Sequence, residues 1–136
     1  MTAPEPGTPL PVRSVDTDWL LDLLTSTANA GDFTVAVTLW TPAGIVSGDL
    51  VGAPVWIRLL REQVRTSGAG QAAVFAGDLE QVEQHILRTT ADPGTEPLSF
   101  LHLADARTLL PSGEVFEHGL WRGRFVDVAG WTLGRV

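Results

Sequence analysis

The sequence predicts an α+β domain: an antiparallel sheet of about five strands with an N-terminal helix and a helical insertion between the second and third strands. Three observations predict it. A short run of helical period near the start leads into two alternating runs separated by a Pro-Ala-Gly turn, a helix followed by a hairpin. The middle of the chain, about residues 53–97, changes to helical spacing. From Ser99 onward the chain returns to strand-like runs, broken by Pro111-Ser112-Gly113 and Ala129-Gly130.

Taken in order, Pro4, Pro6, Pro9 and Pro11 make residues 1–13 an extended tail, because proline lacks an amide donor and resists helix; the domain is expected over 14–136. Asp16 or Thr17 suits the cap of a first helix, whose Trp19, Leu20, Leu23, Leu24 and Ala28 recur at three- and four-residue spacing and which Gly31 would stop in a left-handed conformation. Phe33, Val35, Val37 and Leu39 alternate with smaller residues as in a half-buried strand. Thr41-Pro42-Ala43-Gly44 is a turn, and Ile45 to Gly52 is the returning strand.

Pro54 suits a first helical turn, and Val55, Trp56, Leu59, Leu60 and Val64 form the stripe of a second helix that Gly68 would end. The Gly/Ala-rich stretch 66–77 reads as a flexible link. Asp78-Leu79-Glu80-Gln81 has the form of a capping box, so a third helix with Leu79, Val82 and Ile86 on one face is expected to about Arg88. Ala91 to Pro97 carries loop chemistry. Strands are then expected over Ser99–Leu110, Gly119–Val128 and Trp131–Arg135, and His118 falls in a turn.

Composition narrows the function. At 136 residues, 44% hydrophobic and 18% charged, the chain is suited to one folded core. It has no cysteine, which removes disulfides, thiol nucleophiles and thiolate metal sites and makes the cytoplasm the expected compartment. Neither a signal sequence nor a membrane span is readable, since apolar runs such as Val55–Leu60 are interrupted by Arg58. The net charge is −7 and all nine basic residues are scattered arginines, so no nucleic-acid partner is expected.

No catalytic, cofactor or metal constellation is expected. His85, His102 and His118 lack ligand spacing. Ser47 lacks the flanking glycines of a nucleophile elbow, and Gly119–Gly123 lacks the lysine or helix start of a phosphate loop. The candidate interface residues are Trp56, Arg122 and Arg124. Val55-Trp56-Ile57 is apolar around the whole first turn of its helix, more than one core-facing stripe requires, so one of the three is expected to face outward. Arg122 and Arg124 share a strand face with Leu120 and Val126, where they either present guanidinium groups to an acidic partner or cover apolar neighbours with their stems. Trp121 and Trp131 read as core.

The order Phe100-Leu101-His102-Leu103, Leu120-Trp121-Arg122-Gly123-Arg124 and Val128-Ala129-Gly130-Trp131-Thr132-Leu133-Gly134-Arg135 resembles the C-terminal half of the gas vesicle accessory protein U family. Upstream, the strand with Val46-Ser47-Gly48-Asp49-Leu50 and the helix starting near Pro54 agree with it in outline, so the resemblance covers about Trp19 to Arg135. It implies a non-enzymatic accessory that assembles or clusters vesicles through protein contacts, with gas vesicle structural or accessory proteins and further copies of itself as partners. A second similarity is architectural. The N-terminal helix, the strand pair with Gly44 and Gly48 and the late strand with Arg122-Gly123 are similar to Sm-like small barrels, whose sheet closes on itself. That reading implies a nucleic-acid-binding or oligomeric scaffold domain, and the acidic balance argues against the former.

Overall fold

A computed structural model describes residues 18–31, 33–67, 72–90 and 100–136. The elements run α1 (Trp19–Ala30), β1 (Val35–Thr41), β2 (Gly44–Val51), α2 (Ala53–Arg65), α3 (Ala72–Thr90), β3 (Phe100–Leu109), β4 (Val115–Arg124), a 3-10 turn (Phe125–Asp127) and β5 (Gly130–Leu133). The five strands form one antiparallel sheet in the order β4-β3-β2-β1-β5. The α+β class, the N-terminal helix and the two helices between β2 and β3 are as the sequence predicts. The expected barrel closure is corrected: β4 and β5 are opposite edges and do not pair, so the sheet is open.

Strand register assigns every side chain to one of two faces. On one face Val37, Leu39, Val46, Leu50, Leu101, Leu103 and Ala106 join Leu21 and Ala28 of α1 and Phe125 in the main core. On the other, Ala104 and Leu120 pack with Val51, Trp56 and Ile57 in a second, smaller core. The chain changes face at Gly52. This residue has no side chain to cap α2, and Asn29 of α1 takes that role by accepting the Ala53 N–H through Oδ1 at 2.8 Å.

α3 lies along α2 and buries Leu79 and Glu83, residues one helical turn apart. Glu83 receives Arg61 Nη1 at 2.6 Å and lies 3.8 Å from Arg58 Nε, so its buried carboxylate is paired rather than bare. After β5 the chain turns across the sheet. Gly134 N–H donates to Ala36 O, Val136 N–H donates to Ser47 Oγ, and Arg135 bonds Asp105 and lies 3.4 Å from Asp49. Asp105 is the extra residue of a bulge in β3 and the one non-glycine described residue at positive φ (50°), held there by Arg135 Nη2 on its carbonyl at 2.7 Å.

Several local expectations are corrected. Asp18 caps α1, accepting the Leu20 and Leu21 amides at 3.1 Å; Asp16, Thr17 and the tail 1–13 lie outside the described residues, as does the loop 91–97. Gly31 ends α1 in extended backbone, not left-handed. α2 ends at Arg65, before Gly68. α3 begins at Ala72, six residues ahead of the capping box, because alanine-rich sequence propagates helix well even across Gly77. Val82 is exposed, and the side chain of Ile86 is outside the described set. β4 begins at Val115, so His118 is a strand residue, and it ends at Arg124, so Val126 belongs to the 3-10 turn.

Candidate functional site

The sequence-predicted site residues converge on the second core. His102 of β3 lies opposite Arg122 of β4, and Phe100 lies opposite Arg124, so Phe100, His102, Arg122 and Arg124 share the face that meets α2. Arg122 donates from Nε to His102 Nε2 at 3.1 Å, and its guanidinium carbon sits 3.7 Å from the centroid of the Phe100 ring. The Trp56 ring lies 5.0 Å from the His102 ring at 50°. Trp56 and Ile57 are both buried and Val55 half-buried, because α2 has the sheet on one side and α3 on the other. Trp56 is only 7% exposed, and its Nε1 meets no acceptor among the described residues. Arg122 and Arg124 are exposed.

Burial, and then the charge of Arg122, push the His102 imidazole down from 6.5 to about 4. His102 is therefore neutral at pH 7, with Nε2 free to accept from Arg122 and the ring proton on Nδ1. A histidine whose folded value is depressed stabilises the fold fully above its unfolded value, and that contribution is lost as pH falls from about 6.5 toward 4. His102→Gln keeps an acceptor and cannot titrate. Between pH 7 and 4.5 the parent protein is expected to lose roughly 2 kcal/mol more than this variant in urea unfolding. Equal losses in the two proteins would contradict the role given to His102.

A second surface was not anticipated. α1 turns Leu21, Thr25 and Ala28 inward and leaves Trp19, Leu20 and Leu23 outward at 54%, 44% and 55% exposure. Trp19, the largest residue of the helix, and these two leucines occupy the side facing away from the sheet, while Leu21 and Leu24 pack toward it. The legible signal was that α1 carries more apolar residues than one stripe needs. Asp18 fixes this end of the helix, accepting the Trp131 Nε1–H through Oδ2 at 2.7 Å in addition to capping.

The remaining candidates do not assemble. His85 is exposed on α3, His118 bonds Thr108 at 2.6 Å, and among the described residues no three histidines or carboxylates are grouped as metal ligands. Ser47 is buried against Thr38 at 3.3 Å as a packed strand residue. A shallow groove of about 350 Å³ between α2 and α3 is lined by Arg61, Glu62, Arg65, Ala76, Gly77 and Glu80. None of the described helices is long and apolar enough to cross a membrane.

The family model described as Gas vesicle protein GvpU-like matches residues 18–136. The chain belongs to this family. The match begins at the α1 cap and takes in every described element, so both surfaces lie inside the GvpU-like region. No curated protein and no solved structure gives a match to the chain. GvpU-like membership places the chain in an accessory role in the gas vesicle system and makes gas vesicle proteins its suggested partners.

Proposed function

We propose that the chain is a non-enzymatic gas vesicle accessory that acts in the cytoplasm by binding vesicle structural or accessory proteins, and that it self-associates while assembling or clustering vesicles. The observation that carries this reading is the outward apolar side of α1. Large apolar side chains on a helix already docked to its core mark a surface that a protein partner covers. Family membership supplies the class of partner.

Arg122 and Arg124 form a second contact, toward acidic groups. Phe100 and His102 hold the Arg122 guanidinium in one orientation, which lowers the entropy lost when it pairs with a carboxylate. Trp56, buried beneath, acts by supporting His102 and α2. The test is flotation of the purified protein with isolated vesicles, using Trp19→Ser/Leu23→Ser to remove the apolar contact.

A further inference from the structure

We infer that the free edge of β4 is a self-pairing interface, by which two copies join their sheets antiparallel about a two-fold axis. The inference rests on the self-associating part of the proposed function and names its surface; it does not depend on vesicle contact.

β4 is a ten-residue edge without proline, whereas β5 has four residues and is followed by the segment that turns across the sheet. In an edge strand every second residue directs its N–H and C=O away from the sheet, and such a row pairs with another strand unless it is protected. The charges along β4 are ordered: Glu117 stands before the bulge at His118–Gly119, and Arg122 and Arg124 stand after it, all on the α2-facing side of the sheet. Parallel pairing of two copies would set like charges together. Antiparallel pairing centred on Leu120, with His118 of each copy left as the unpaired bulge residue, places Glu117 of each copy opposite Arg122 of the other, with Arg124 diagonal to it.

This register keeps the faces matched through the bulge, since the extra residue shifts the side-chain alternation in both copies equally. It also accounts for two exposed apolar residues. Val115 meets the stem of Arg124, and Phe116 meets Gly123, over which Trp121 folds its indole so closely that a Cβ at 123 would lie 2.1 Å from the ring. Among the described residues of one chain Glu117 has only a long contact to Arg107, at 4.0 Å with the Glu117 side chain 74% exposed, which contributes little. It is available to the second copy.

The experiment is sedimentation equilibrium of the full chain, alone and as charge variants, with circular dichroism to verify folding. The parent is expected to dimerise. Glu117→Arg is expected to weaken the dimer by about tenfold or more, because it faces Arg122 of the other copy. Arg122→Glu weakens it likewise, and an equimolar mixture of the two variants restores dimers, since each copy then offers the complement of the other. A parent that stays monomeric at every concentration, an unweakened Glu117→Arg dimer, or a mixture no more associated than its components would overturn the inference. Glu117→Arg alone decides the matter if Arg122→Glu fails to fold. No vesicle is present, so the outcome is separate from that of the flotation test.

Discussion

Gly52→Ala is expected to cost about 3 kcal/mol and to lower the melting temperature by about 10 °C, although it adds a single methyl group. A Cβ at this position would lie 2.3 Å from Ala28 O, 2.9 Å from Ala28 C and 3.0 Å from Asn29 Cα, all of them backbone atoms. Backbone cannot rotate aside as a side chain tip can, so the end of α1 must retreat. Retreat opens the main core at Ala28, which is fully buried, and withdraws Asn29 Oδ1 from the Ala53 N–H that it caps. One residue thus links the docking of α1 to the start of α2. Gly77→Ala is the control: nothing lies within 4 Å of a Cβ there, and within α3 the change should stabilise by about 0.5–1 kcal/mol. Thermal and urea unfolding of the two variants checks both signs. A tolerated Gly52→Ala would mean that α1 is not held against the β2–α2 junction.

Trp56→Ala should cost about 3–5 kcal/mol, the range for removing a large aromatic side chain from a core. Trp56 is the largest member of the second core, where it packs with Val51 and Ile57 and against the half-buried Ala104 and Leu120, and its loss leaves a cavity under His102. Trp56→Phe separates packing from hydrogen bonding. The indole N–H has no acceptor among the described residues, so phenylalanine sacrifices part of the packing and relieves an unsatisfied donor. It is expected to retain most of the stability lost in Trp56→Ala, as measured by urea titration at pH 7. Equal losses for the two substitutions would show that the N–H matters more than the ring.

The sheet was legible because its strands obey a period of two and its turns carry Pro and Gly at diagnostic places: the β1–β2 hairpin turns at Pro42-Ala43, and β5 follows Ala129. The bulges were not. Asp105 adopts positive φ because Arg135, thirty residues away, holds its carbonyl, a constraint that no local pattern records. Helix boundaries erred where propensity and punctuation disagree, as at Ala72–Gly77, where glycine suggested a link and the alanines extended the helix. The inward face of α1 was misread for a related reason. Spacing groups Trp19, Leu20, Leu23, Leu24 and Ala28 as a stripe, and hydrophobicity assigns the stripe to the core; the structure does bury Ala28 and packs Leu24 against the core, but it completes the inward face with Leu21 and Thr25 and leaves Trp19, Leu20 and Leu23 outward. Arg122 and Arg124 were correctly grouped on one face, while the part played by His102 depended on register across two strands and could not be read from either alone.

On the function proposed above, this GvpU-like chain acts on gas vesicles through protein surfaces, chiefly the outward side of α1. The decisive experiment is flotation of the purified protein with isolated, buoyant vesicles, at low and high salt and beside an unrelated acidic protein. The chain is expected to rise with the vesicles at both salt concentrations, because an apolar contact is not screened, and Trp19→Ser/Leu23→Ser is expected to remain in the bulk while staying folded. A chain that stays in the bulk solution at both salt concentrations, or a double variant that floats as well as the parent, would contradict direct binding through α1.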